Sequence, residues 1–197
     1  MPETNDQPLD GYEVVLCVTG GIAAYKAADL ASKLVQAGAG ATVAMTESAT
    51  RFVAPLTFQT LTGRAVCTSL WDSGRRFESQ HLALTERANL MIVAPATANV
   101  IAKMAVGIAD CLVSALALSA CGACEVLVAP AMNTRMWEAP PTQANMATLS
   151  ERGVHVVGPG EGFLACGAVG KGRLAEPAEI LAAAERLLRD HPPKRRD

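Results

Sequence analysis

The sequence predicts a single α/β domain, a three-layer α/β/α arrangement around a doubly wound, mostly parallel sheet. Three observations predict it. Short apolar, β-branched runs alternate with helix-length segments, as βαβ units require. The runs are apolar throughout, the pattern of strands covered on both faces. Several end in glycine or proline followed by small and polar residues, which delivers loops to the carboxyl edge of the sheet, where ligands bind in open α/β folds.

Taken in order, strands are expected at residues 13–19, 41–46, 64–67, 90–94, 125–129 and 154–157. The first helix is expected to begin just after Gly20-Gly21 and run to Gln36, with Gly38 beyond it as a stop signal. Residues 72–79 are polar and read as a surface loop. The glycine-rich stretch 158–172 reads as a mobile flap of the kind that closes over substrates. Pro177 suits a helix start, and this last helix is expected to reach about Arg189, before Pro192-Pro193. Residues 1–11 are expected to form a disordered N-terminal tail, 12–190 the domain and 191–197 a basic C-terminal tail. The order of elements is that of Rossmann-like and flavodoxin-like folds.

Half of the 197 residues are hydrophobic and 18% are charged, an apolar balance that points to a homo-oligomer. A net charge of −2 gives no positive field for a nucleic-acid backbone, so no nucleic-acid partner is expected. The charge-free stretches 88–102 and 111–124 are shorter than the roughly 18–20 residues of a membrane span. No membrane partner is expected either. Residues 1–10 lack the basic start and apolar centre of a secretory signal, which points to a cytoplasmic protein with reduced cysteines.

Four segments carry candidate chemistry. Gly20-Gly21 follows the first strand and opens a helix, placing backbone N–H groups where a phosphate could bind; a tight strand-to-helix turn explains it equally well. Pro95-Ala96-Thr97-Ala98-Asn99 and Pro130-Ala131-Met132-Asn133-Thr134-Arg135-Met136-Trp137 each follow an apolar run. Both read as pocket walls, with helix capping as the alternative role for Thr97 and Asn99. Asn133 exposes an amide among apolar residues and methionines, which suits a planar or sulfur-bearing ligand. Cys166 lies inside the glycine-rich stretch, and His81 is a histidine, the side chain whose unperturbed pKa of about 6.5 suits proton transfer near neutrality. Cys121 and Cys124 have metal-like spacing but lack a second pair, so no metal is expected.

Thr19 to Lys26, His81, Pro95 to Asn99, Pro130 to Trp137 and Leu164-Ala165-Cys166-Gly167 together, over residues 14–183, resemble the flavin-containing cysteine decarboxylases. The branch acting on phosphopantothenoylcysteine in coenzyme A biosynthesis is the most similar. The resemblance implies FMN as cofactor and a homotrimer that can assemble into a dodecamer. It implies conversion of 4′-phosphopantothenoylcysteine to 4′-phosphopantetheine through thioaldehyde and enethiolate intermediates. A carboxylate leaves as carbon dioxide only if its electron pair has a sink. Oxidising the cysteine CH2–SH to C=S creates one, and FMN can accept the hydride.

The resemblance further implies that His81 is the base of the oxidative half-reaction, that Asn133 holds the substrate carboxylate, and that Cys166 supplies a proton in the final reduction. Gly20, Gly21 and Ile22 would meet the flavin phosphate or ribityl through backbone groups, and Thr46, Thr97, Ala98, Asn99 and Ala131 would make other flavin contacts. Met136, Leu164 and Ala165 would join Asn133 in binding substrate. Thr97 stands where the family commonly has serine, and Val100 where it has threonine, so Val100 is given no hydrogen bond to the flavin. Many bacterial relatives continue into a ligase domain, which is expected here as a separate protein. Three alternatives share the resemblance: an oxidative decarboxylase of peptidyl cysteine, a flavin prenyltransferase-like enzyme, and a flavin-binding regulatory subunit. Cys166 argues for the complete redox cycle, and the chain has no acidic extension of the regulatory kind.

Overall fold

Each apolar run forms a strand and hands the chain to a helix that packs back on the sheet. β1 (Glu13–Val18) leads to α1 (Ala24–Gln36), and β2 (Gly40–Met45) to α2 (Glu47–Thr50) and α3 (Pro55–Thr62). Next come α4 (Gln80–Arg87), β3 (Leu90–Ala96), α5 (Ala98–Val106), α6 (Leu112–Ser119) and β4 (Glu125–Pro130). The rest comprises α7 (Thr134–Glu138), α8 (Pro140–Glu151), β5 (His155–Val156), β6 (Gly160–Phe163), β7 (Val169–Arg173) and α9 (Pro177–Leu188). This computed structural model describes residues 7–71, 80–163, 167 and 169–194, with the side chains of residues 80 and 81 outside that set.

The main sheet is five-stranded in the order β2-β1-β3-β4-β5, and every pairing is parallel. The chain winds one way from β1 to β2 and the other way from β3 onward. The crevice between β1 and β3 is therefore the switch point at which open α/β sheets bind ligands.

Strand alternation divides the core in two. Val14, Leu16 and Val18 of β1 face α1 and α9, where Leu30, Leu34, Ile180 and Leu188 cover them. Val15 and Cys17 face the other way, toward Ile101, Leu112, Leu116 and Leu149. In α1 the buried residues are Ala24, Ala27, Leu30, Ala31 and Leu34, the three-and-four spacing of one helix face. Two covered faces make the sheet the middle of three layers.

Several boundaries depart from expectation. Residues 64–67 add no strand: Cys67 alone bridges Ala44, while Arg64 turns to Glu13 and Thr42 at the sheet edge. The first helix starts at Ala24, after a turn. β3 and β4 run through their prolines, so that Ala96 pairs with Pro130 beyond a register shift. The expected strand at 154–157 contracts to His155–Val156, and the expected flap contains the antiparallel hairpin β6–β7, separate from the main sheet. Residues 7–11, expected in the N-terminal tail, are anchored by Leu9, which is buried and whose N–H donates to the Ala37 carbonyl at 2.8 Å. Lys194, expected in the C-terminal tail, donates to the carbonyls of Glu86 and Ala123 at 2.9 and 2.6 Å. The expected loop at 72–79 lies outside the described residues. No helix among the described residues is long and apolar enough to cross a membrane.

Candidate functional site

At the carboxyl edge, one buried hydroxyl and one backbone hydrogen bond bring three strand-to-helix loops together. Thr19, at the end of β1, donates through Oγ1 to the Pro95 carbonyl at 2.6 Å and accepts the Thr97 N–H at 3.2 Å. The Ala131 N–H donates to the Ala96 carbonyl at 3.0 Å, which ties in the third loop. Their surfaces line a cavity of about 540 Å³, within the range of small-molecule and cofactor sites.

The first wall is Gly20-Gly21. A side chain at Gly20 would collide with Ser48 at the start of α2, so glycine lets the two loops abut. The backbone N–H groups of Ile22 and Ala23 make no backbone hydrogen bond among the described residues, and they precede α1. Free N–H groups at a helix start bind anions. Pro95, Thr97, Ala98 and Ala131 form an adjoining, largely apolar wall.

The opposite wall holds Met132, Asn133 and Met136. Asn133 caps α7: its Oδ1 accepts the Arg135 N–H at 2.8 Å, which orients the side chain on the cavity wall. The hairpin packs directly on this loop. Gly172 has φ of +136°, a side chain there would strike the Met132 carbonyl oxygen, and the Met132 N–H donates to the Gly172 carbonyl at 2.9 Å. Glycine in the expected flap therefore serves close docking of the hairpin on this loop.

Three residues to which no role was assigned from sequence complete the mouth. Lys26 Nζ lies 3.0 and 3.1 Å from the Glu176 carboxylate, and Arg173 donates to the same carboxylate at 2.7 Å. Lys26 and Arg173 both line the cavity. The Lys26 hydrogen bond holds the Glu176 carboxyl below the usual glutamate range, with the Lys26 and Arg173 charges acting in the same direction. Lys26 and Glu176 are 150 residues apart, so no local pattern joins them. A basic residue in the first turn of the helix after Gly-Gly was the available signal.

Of the residues named from sequence, Gly20, Gly21, Ile22, Thr97, Ala98, Ala131, Asn133 and Met136 line this cavity. Thr46 and Asn99 do not: the Thr46 hydroxyl caps α2 by accepting the Ala49 N–H at 3.2 Å, and Asn99 is exposed on α5. Thr97 also caps its helix, accepting the Val100 N–H at 3.4 Å, so pocket wall and cap coincide in one residue. His81 falls in the first turn of α4, which the right-handed crossover into β3 places at the carboxyl edge, and its side chain is outside the described residues. Leu164, Ala165 and Cys166 also lie outside them. No group of His, Cys, Asp or Glu among the described residues could hold a metal ion.

The arrangement suits a ligand with an anionic end at Ile22 and Ala23 and an apolar, partly planar body between the Ala98 and Met136 walls. A family model described as Flavoprotein matches residues 2–189. The coenzyme A biosynthesis bifunctional protein CoaBC of Bacillus subtilis is 49% identical over 178 residues, covering 90% of this chain and 43% of that protein. Its Escherichia coli counterpart is 43% identical, over 89% of this chain and 43% of that protein. The chain thus spans less than half the length of these relatives. Among solved structures, a cysteine-to-serine variant of PPC decarboxylase complexed with pantothenoylaminoethenethiol superposes with a TM-score of 0.83 at 28% identity, covering 91% of this chain and 99% of that one. The FMN binding protein AtHal3 superposes with a TM-score of 0.81 at 28% identity, covering 92% and 99%.

Proposed function

We propose, for a chain that belongs to the Flavoprotein family, that it binds FMN and decarboxylates 4′-phosphopantothenoylcysteine to 4′-phosphopantetheine in coenzyme A biosynthesis. The observation that carries this reading is the convergence of Gly20-Gly21, Thr97-Ala98 and Asn133 on a single cavity at the switch point. The names of the relatives and of the solved neighbours support it.

The residues fit the cofactor. The N–H groups beside Gly20 and Gly21, with Ile22, suit its phosphate, and Thr97, Ala98 and Ala131 suit an apolar ring system. Thr46 and Asn99 are assigned to the flavin on the resemblance alone. When bound, FMN supplies a two-electron sink that later returns the pair, so the overall reaction is redox-neutral.

The chain's own groups divide the remaining work. Lys26 and Arg173 give the mouth a positive potential that attracts the phosphorylated substrate. The Asn133 amide donates to the departing carboxylate and fixes its torsion, while Met136, Leu164 and Ala165 enclose the pantothenoyl arm. His81 takes the thiol proton as the substrate CH2–SH is oxidised, and Cys166 returns a proton to carbon at the close of the cycle. Ile22, Tyr25, Met136 and Phe163 are exposed apolar side chains at the mouth. We assign them to a subunit boundary in a homotrimer, able to assemble further into a dodecamer, working in the cytoplasm.

FMN-loaded protein incubated with phosphopantothenoylcysteine and followed by mass spectrometry should lose carbon dioxide and give phosphopantetheine. An inert yellow protein overturns the reading. Cys166→Ser should accumulate a decarboxylated species lacking two hydrogens relative to product. His81→Asn should stay yellow yet fail to oxidise substrate.

A further inference from the structure

The amino edge of the sheet carries a second cavity, of about 530 Å³, and the Cys121-Gly122-Ala123-Cys124 segment forms part of its wall. This segment is the turn between α6 and β4. The Ala120 carbonyl accepts the N–H groups of both Ala123 and Cys124, at 2.9 and 3.2 Å, so the turn closes tightly on itself. Residues three apart in such a turn come within the reach of a disulfide, roughly 4.4–6.8 Å between Cα atoms.

The two thiols differ in setting. Cys121 is exposed, with its Sγ 3.7 Å from the Ala117 carbonyl. Cys124 is half-buried at the edge of the second core cluster. Burial pushes the Cys124 thiol up, and the Lys194 ammonium works against that shift. Cys17 and Cys67 are buried in the core, and Cys111 is not among the residues lining this cavity. Among the described residues the pair belongs to no group of three or more His, Cys, Asp or Glu side chains placed to hold a metal ion.

We infer that Cys121 and Cys124 form a dithiol site that reacts with low-molecular-weight disulfides and closes to an intramolecular disulfide. The exposed Cys121 thiolate attacks one sulfur of the small disulfide, forming a mixed disulfide and releasing one thiol. The Cys124 thiolate then attacks the Cys121 sulfur, forming the Cys121–Cys124 bond and releasing the second thiol. Two electrons pass from the protein dithiol to the small disulfide, and both protein protons leave with the two thiols. The cavity beside the turn has room for the departing thiol, and Arg152 and Lys194 on its lining favour an anionic one. The site lies at the opposite edge of the sheet from the candidate flavin cavity and does not depend on the function assigned to that cavity.

The test uses the full chain with FMN bound, in a Cys166→Ser background, treated with oxidised glutathione and read by intact mass and fragment mapping. The parent should become lighter by two hydrogens and retain no glutathionyl group. Cys124→Ser should hold one glutathionyl on Cys121, Cys121→Ser should show neither change, and Cys111→Ser should behave as the parent. A parent that keeps a glutathionyl adduct, a Cys121→Ser chain that still loses two hydrogens, or an unreactive parent would each overturn the inference.

Discussion

The two edges of the sheet carry cavities of nearly equal volume, about 540 Å³ at the carboxyl edge and 530 Å³ at the amino edge, yet they are chemically opposite. At the carboxyl edge, α1, α5 and α7 begin, and the loops before them present N–H groups and caps. At the amino edge, α5, α6 and α8 end, and their carbonyl-rich termini are met by cations: Arg152 donates to the Ala105 carbonyl at 2.7 Å, and Lys194 to the Ala123 carbonyl at 2.6 Å. Volume does not separate the candidate flavin cavity from the cavity beside the Cys121–Cys124 turn. What separates them is which backbone groups have already found partners, since helix starts favour anions and helix ends favour cations.

The contrast implies that disturbing the carboxyl edge removes flavin binding and turnover, and that disturbing the amino edge leaves both in place. Gly20→Val should have the largest effect: the new side chain meets Ser48, the loops separate, and FMN content and turnover both collapse. A displacement of that kind costs roughly 10²-fold in rate or more, read by flavin absorbance and steady-state assay. Asn133→Asp should come next, keeping the cap on Arg135 while replacing the donor with a negative charge. Turnover should fall roughly 10²-fold with thermal stability held; unchanged turnover would show that Asn133 serves only as a cap. Arg152→Ala should lower stability by about 1–2 kcal/mol in denaturant titration, with FMN content and turnover unchanged. Loss of FMN from that variant would break the contrast.

The smallest effect is a dependence on pH. The folded-state pKa of Glu176 is lowered, so its ionised form contributes stability that is present at neutral pH and is lost as the pH falls from the ordinary value of 4.5 toward the lower folded value. Its carboxylate is half exposed, so solvent screening keeps this contribution small. Lys26→Met should lower the melting temperature slightly at neutral pH, leave it close to that of the parent at the acid end, and so flatten its fall across the acidic window.

The strands of the sheet centre were legible because β1, β3 and β4 are buried on both faces and need uninterrupted apolar runs. The loops after them were legible because Gly20-Gly21, Pro95 and Pro130 mark where pairing stops or shifts. Residues 64–67 were misread because an apolar pair satisfies strand propensity without supplying a ladder, and only Cys67 finds a partner. The β6–β7 hairpin escaped notice because its glycines give no hydrophobic period; they are required by Thr134 and Met132 from another loop, about forty residues earlier in the chain. The Lys26–Glu176–Arg173 cluster was invisible for the same reason: its partners meet only after α1 and α9 pack together. Roles for Thr46 and Asn99 rest on resemblance: Thr46 caps α2, Asn99 is exposed, and no surface of the cavity itself points to either.

Thr19 has a consequence for anyone wishing to graft loops between members of the family. Its one hydroxyl spans the ends of two strands, donating to Pro95 and accepting from Thr97. Segments 19–21 and 95–97 therefore behave as one exchangeable cassette, although more than seventy residues separate them in sequence. Transplanting either segment alone would leave a buried oxygen or a buried carbonyl without its mate, at a cost of about 1–3 kcal/mol; transplanting both together should carry the pocket's shape across intact.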